Sequence, residues 1–206
     1  MKIEKFVLGM VRTNCYLIQN EETKETVIVD PAIAPDYLID SMISEGLTPK
    51  AILLTHGHFD HIMGIDILAR EYKIPVYAYE EEQQIIESPS MNLSDQFGEG
   101  YSYHKVIYVK NDTTLTLAGY DFKVIATPGH TVGGCCYYVA DEEVLFSGDT
   151  LFCGSVGRSD FPTGSGAVLV RSIKEKLMCL PENTVVYPGH ESMTTIGDEK
   201  NGNPFL

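Results

Sequence analysis

"THGHFDH", residues 55–61, follows directly on the apolar run "AILL", residues 51–54. Three of the chain's six histidines and one aspartate therefore fall within seven positions. Four consecutive apolar residues read as a buried strand, and a glycine just beyond lets the backbone turn sharply. A strand that ends this way delivers polar side chains to the edge of a sheet. The pattern recurs: His130 lies in "TPGHT", Asp149 lies in "EVLFSGDT", and His190 closes "TVVYPGH". His104 sits in an irregular stretch and reads as an ordinary surface residue.

Around these strand ends the chain reads as one domain, residues 1–206, since that length builds one sizeable core and no linker interrupts it. "KFVLGM", "CYLIQN" and "TVIVDP" are expected as strands and "DYLIDSMISEG" as a helix. A second helix is expected over roughly "MGIDILAREY", a strand over "IPVYAY" and a helix over "EEEQQIIES". The stretch from Pro89 to about Lys105 has no clean period and reads as a loop or lid, with Tyr101 and Tyr103 either covering a substrate or packing on their own domain. The second half offers a hairpin over "TTLTLAGYDFKVIATPGH", strands over "GCCYYVA" and "EVLFSGDT", a helix from about Ala167 to Leu177, and "TVVYPGH" as the last strand. Strands and helices in this succession, without strict alternation, suggest two sheets packed face to face with helices outside.

Composition removes several function classes. With 29 acidic against 15 basic residues the net charge is −14, which repels nucleic-acid phosphate and anionic membrane surfaces. No segment approaches the eighteen or so apolar residues of a membrane span. "MKIEKFVLGM" lacks the apolar core of a signal peptide, so the expected location is the cytoplasm. The five cysteines are an odd number with no C-x-x-C pair and read as reduced thiols; Cys135 and Cys136 should point to opposite faces of one strand.

The strand-end residues are His56, His58, Asp60, His61, His130, Asp149 and His190. Histidine is scarce here yet concentrated at equivalent positions with carboxylates interleaved, which favours a metal site over isolated surface residues. A catalytic zinc uses three protein ligands and an open position, so seven candidates suit two metals sharing one residue, and a carboxylate is the natural bridge. The set holds nitrogen and oxygen donors without thiolate, as catalytic rather than structural zinc sites do.

The order H-x-H-x-D-H, a distant histidine, G-D-T and a final P-G-H resembles the metallo-β-lactamase superfamily along nearly the whole chain. "TNCYLI", "GDTLFCGSVGRSDFPTGS" and "NPFL" are similar to its glyoxalase II-like (hydroxyacylglutathione hydrolase-like) short bacterial branch. The resemblance implies an α+β fold, a four-layer αβ/βα sandwich with the metal site at one edge of the two sheets. It implies one metal on His56, His58 and His130, a second on Asp60, His61 and His190, and Asp149 as the bridge. It also implies a hydrolase that cleaves a thioester such as S-lactoylglutathione with metal-bound hydroxide, in which Asp60 and Asp149 are the catalytic carboxylates. The implied cofactors are two divalent ions, zinc first, with iron or manganese as alternatives. The expected partner is a small-molecule thioester such as a glutathione conjugate, with neither nucleic acid nor membrane.

Arg158, in "VGRSDF", follows the Asp149 strand by a short loop and is a candidate clamp for a substrate carboxylate, the competing role being an internal pair with Asp160. Two other functions stay open. Persulfide dioxygenases share H-x-H-x-D-H and a similar G-R-x-D-F segment but hold one iron, here through His56, His130 and Asp149. A non-enzymatic metal-binding module is the third reading, although no ligand of the set is missing.

Overall fold

The computed structural model describes all 206 residues. The first sheet runs in chain order: β1 (Lys2–Leu8), β2 (Thr13–Gln19), β3 (Glu25–Val29), β4 (Thr48–Leu53), β5 (Val76–Tyr79) and β6 (Val106–Val109). Its first three strands pair antiparallel and the remainder parallel. The second sheet contains β7 (Thr114–Leu117), β8 (Tyr120–Ala126), β9 (Cys135–Val139), β10 (Val144–Gly148), β13 (Val185–Pro188) and β14 (Thr194–Thr195). Between β10 and β13 a small hairpin is formed by β11 (Leu151–Phe152) and β12 (Ser155–Val156).

Period-2 alternation decides which layer each side chain joins. Along β2, Tyr16 and Ile18 enter the core between the sheets, whereas Cys15 and Leu17 face the outer helices. Along β9 the neighbours Cys135 and Cys136 part as expected, one to the central core and the other to the layer beneath α5 (Gly166–Ser172). Helix α1 (Asp36–Ser44) buries Leu38 and Met42 on the first sheet, and α3 (Ile65–Tyr72) buries Ile65 and Leu68 there. The result is the four-layer α+β sandwich of two mixed sheets. Each fully buried aliphatic side chain contributes about 1.5–3 kcal/mol. Two tyrosines also cross the central layer at the strand ends: the Tyr16 hydroxyl donates to the Pro188 carbonyl (2.6 Å) and the Tyr137 hydroxyl to that of Leu54 (2.9 Å).

Several elements depart from the sequence expectation. The helix expected over "MGIDILAREY" is present as α3, but the loop before it contains a single turn, α2 (Phe59–Ile62), which presents the aspartate and histidine of "FDH". "EEEQQIIES" forms one tight turn (Glu80–Glu82) and a four-residue α4 (Gln83–Ile86). The helix expected from about Ala167 to Leu177 is present, its second half being one wider turn over Ile173–Leu177 beyond α5. "TVVYPGH" is not the end: β14 and α6 (Ile196–Gly202) follow, with Thr195 capping the helix by accepting from the Asp198 N–H. Tyr101 and Tyr103 pack against the outer core of the first sheet, so the packing alternative holds for them. No helix is long and apolar enough to cross a membrane.

Candidate metal centre

Each candidate side chain leaves the end of a strand or the turn after it. His56 and His58 lie just beyond β4, and Asp60 and His61 are in α2. His130 follows β8, Asp149 follows β10, and His190 follows β13. Gly148 (φ +50°) bends the chain tightly beneath Asp149, where a side chain would collide with Thr55. Gly189 similarly leaves no room for a Cβ, which would overlap the Asp149 carboxylate and the His61 ring.

All seven converge. The donor atoms of His56, His58 and His130 lie within 4.8 Å of one another, as do those of Asp60, His61 and His190. Asp149 stands between the triads: Oδ1 is 3.6 Å from His61 Nε2, and Oδ2 is 3.6 Å from His130 Nε2 and 3.5 Å from His190 Nε2. Asp60 Oδ2 is 3.3 Å from Nε2 of both His61 and His190. These separations are long for charge-assisted hydrogen bonds. They match the edge of a tetrahedron of ligands around zinc, about 3.3 Å for bonds of 2.0–2.1 Å.

The hydrogen-bond network turns the ring nitrogens in the same sense. His61 Nδ1 is held by Asp30 Oδ2 (2.9 Å) and His130 Nδ1 by the Arg158 carbonyl (2.7 Å), so each ring directs Nε2 at the centre. His56 Nδ1 meets the Thr55 hydroxyl (3.2 Å), which itself donates to Asp30 (2.6 Å). His58 Nδ1 approaches His130 Nε2 to 2.9 Å, a crowding of lone pairs that a shared cation or proton relieves. Buried Nε2 atoms of His56, His58 and His61, with Asp149 Oδ1, have no hydrogen-bond partner in the protein. Unpaired buried polar atoms cost about 1–3 kcal/mol each, and such atoms on residues whose donors gather in two clusters fit divalent metal ions.

Electrostatics divide the histidines. Burial, reinforced by the neighbouring imidazoles, holds His56 well below its ordinary value, and burial with His130 brings His58 down to about 3. Both rings are therefore neutral, the form in which an imidazole nitrogen can accept a metal ion. Burial also opposes charge on His61, yet Asp60, Asp30 and Asp149 outweigh it and raise the group well above the usual range. Burial likewise opposes charge on Asp60, but His61, His190 and Thr13 hold it well below the carboxylate range.

Three supporting residues escaped the sequence reading. Asp30 closes β3 and accepts from the Thr55 N–H (2.8 Å) and hydroxyl as well as contacting His61. Thr13 donates to Asp60 Oδ2 (2.6 Å). Glu82, fully buried, accepts from the Gly57 N–H (2.7 Å) and the Thr131 hydroxyl (2.9 Å), so it joins the two loops that carry the first triad. Asp30 had a signal: "TVIVDP" ends a buried strand in a carboxylate, just as "EVLFSGDT" does.

A cleft of about 410 Å³ opens over the centre and reaches His58, Asp60, His130, Asp149 and His190. Arg158 lines it, its guanidinium in a two-bond fork with Asp160 (2.8 and 2.7 Å) and 3.7 Å above the Phe161 ring.

The sequence pattern described as "Metallo-beta-lactamase superfamily" matches residues 8–190. The chain belongs to the metallo-β-lactamase superfamily. Among superfamily members, it is 36% identical to the probable metallo-hydrolase YqgX of Bacillus subtilis, over all of this chain and 98% of that protein. It is 33% identical to the hydroxyacylglutathione hydrolase GloC of Haemophilus influenzae, again over all of this chain and 98% of that one. The solved structure of the B3 metallo-β-lactamase BLEG-1 superposes with a TM-score of 0.94 at 41% identity, covering 100% of this chain and 99% of BLEG-1. TTHA1623, in a di-iron-bound form, gives 0.88 at 35% identity, with coverage of 98% and 100%. ETHE1 from Myxococcus xanthus gives 0.82 at 29% identity, with coverage of 99% and 84%. This metallo-β-lactamase superfamily chain is thus a metallo-hydrolase relative with a candidate histidine and aspartate metal site.

Proposed function

We propose that the protein is a dinuclear-metal hydrolase that cleaves a thioester such as S-lactoylglutathione. One observation carries this reading: the Asp149 carboxylate stands between two assembled triads at ligand-edge distances from histidines of both. His56, His58 and His130 would hold one ion, Asp60, His61 and His190 the other, and Asp149 would bridge them. When bound, such a pair supplies hydroxide at neutral pH and polarises a carbonyl oxygen. Zinc suits the donor set, and iron or manganese is compatible with it.

The chain's own residues set the geometry for that chemistry. Thr13 donates to Asp60 Oδ2, the oxygen that faces His61 and His190, and so fixes the carboxylate toward the second triad. Asp30 and the Arg158 carbonyl lock the His61 and His130 rings, so the donors need no reorientation as charge develops. A thiolate, with an ordinary thiol pKa of about 8.5, leaves without a protein acid, which favours thioesters over alkyl esters. Arg158 remains the substrate contact of this reading; a carboxylate would bind the N–H donors that the fork to Asp160 leaves over. Five unpaired cysteines, two of them exposed, suit the cytoplasm.

The complete second triad ranks this reading above a mononuclear-iron persulfide dioxygenase. The likeness to BLEG-1 adds β-lactam hydrolysis as a competing activity. The test is metal analysis of protein purified without added metal, then assays under strictly anaerobic conditions. Zinc-loaded protein should release thiol from the thioester faster than it opens a β-lactam, and iron-loaded protein given glutathione persulfide should consume no oxygen above background once air is admitted. Rapid oxygen uptake at one iron per chain, with negligible thioester turnover, overturns the proposal.

A further inference from the structure

Two grooves meet at the candidate metal centre, and their chemistry differs. The cleft above the centre has apolar walls: Val11, Phe59, Leu93, Phe97, Phe152 and Phe161. Phe97 is 52% exposed and stacks on Phe59 with centroids 4.3 Å apart, so a large apolar face lies open to whatever enters. Phe161 lies against His58 and Phe152 against His190, at 5.6 and 6.3 Å between centroids, placing an aromatic wall beside each triad. The only cation among these walls is Arg158, already paired with Asp160.

The second groove, about 570 Å³, joins the first at Val11, His190 and Glu191 and runs beside Lys5, Arg12 and Asn14. No carboxylate lies within 4 Å of either cation; Lys5 Nζ meets only the Glu191 carbonyl (3.3 Å). Two free cations against one carboxylate, Glu191, give this groove a local positive excess in a chain of net charge −14. The sequence offered no sign of it, because Lys5 and Arg12 are brought together only by the β1–β2 hairpin.

Resting on the thioester reading above, we propose that the substrate is a two-part thiol conjugate. Its S-substituent is apolar and lies among Phe59, Phe97 and Phe161, while its thiol part carries an anionic group, carboxylate or phosphate, read by Lys5 and Arg12. An apolar substituent is favoured on such walls in proportion to the area it removes from water. A lactoyl group, small and hydroxylated, gains little there. The anion at the far end then sets the direction of binding, with the sulfur over the metal ligands between the grooves.

The experiment uses thioethers, which have no cleavable carbonyl, so binding is read separately from turnover. Calorimetry on zinc-loaded protein should give at least tenfold tighter binding of S-hexylglutathione than of S-methylglutathione, and Phe97→Ser should reduce that ratio below threefold. The double variant Lys5→Gln/Arg12→Gln should weaken S-hexylglutathione at least fivefold more than the neutral S-hexyl-N-acetylcysteamine. S-hexyl coenzyme A in parallel tells a phosphate from a carboxylate, since the tighter of the two identifies the anion. Equal binding of the hexyl and methyl compounds, or equal losses on charged and neutral ligands in the double variant, overturns the proposal. Thioester turnover with those equalities leaves the hydrolase reading standing and removes only this one. Selective binding without any thioester turnover does the reverse.

Discussion

At the scale of one residue Asp149 stands out, because its carboxylate reaches both triads, Oδ1 facing His61 and Oδ2 facing His130 and His190. Asp149→Ala should lower metal content from two ions per chain to fewer than one, with hydrolysis lost, since both sites lose a ligand together. Elemental analysis after gel filtration checks this, and two retained ions would remove the bridge. Asp30 makes a subtler case. It touches no metal position in this assignment but grips His61 Nδ1 and Thr55, and partners of that kind typically change affinity 10–100-fold. Asp30→Asn should therefore weaken binding of the His61 equivalent by about that factor in a chelator competition, and that of the His56 equivalent, which Asp30 reaches only through Thr55, by less. Two equivalents weakened alike would instead mean general loosening of the sheet edge.

At the scale of elements, the site depends on loops after β4 and β8 being held together, and Glu82 does this from the turn after β5. Burial raises its carboxyl from 4.5 to about 7, against the hydrogen bonds that it accepts. The folded state thus keeps a proton that the unfolded chain releases between those values. Stability contributed by the protonated form is full below about pH 4.5, declines as pH rises through the window and levels above about pH 7. Glu82→Gln should flatten that decline, by an amount on the order of 3 kcal/mol. Urea titrations of both proteins at pH 5 and pH 7.5 measure it as a difference, in which protons linked to metal binding cancel. Parallel slopes for the two proteins would exclude Glu82 as their source. The sequence hid this residue for a physical reason: a third glutamate in "EEEQQIIES" has the composition of a solvated helix face, and only the fold shows it to be buried. By contrast, the strand ends at 55–61, 130, 149 and 190 were legible because scarce imidazoles next to glycines have few other uses. Helix α6 was illegible because "IGDEKNG" has no apolar period; it is fixed by the Thr195 cap and by Glu199, which accepts from the Thr194 hydroxyl (2.6 Å) and the Asn203 amide.

For the whole molecule, residues 1–109 supply every strand of the first sheet and residues 114–206 every strand of the second. His56 and His58 come from the first and His130 from the second; Asp60 and His61 come from the first and His190 from the second. Each ion of the proposed pair therefore links the two sheets. A ligand bound only by the folded state stabilises it by about 4 kcal/mol at a thousandfold excess over Kd. Removal with a chelator should accordingly lower the thermal midpoint on the order of 10 °C at this chain length, and zinc should restore it. An unchanged midpoint in calorimetry would show that the ions do not span the sheets. The connection between the halves is one short link, residues 110–113, with Asp112 exposed and left-handed at φ +63°. Nicked there, the protein would become two pieces, neither of which holds three of one ion's ligands. Reassociation would then be gated by metal, and recovery of activity from separately expressed pieces would report the free zinc around them.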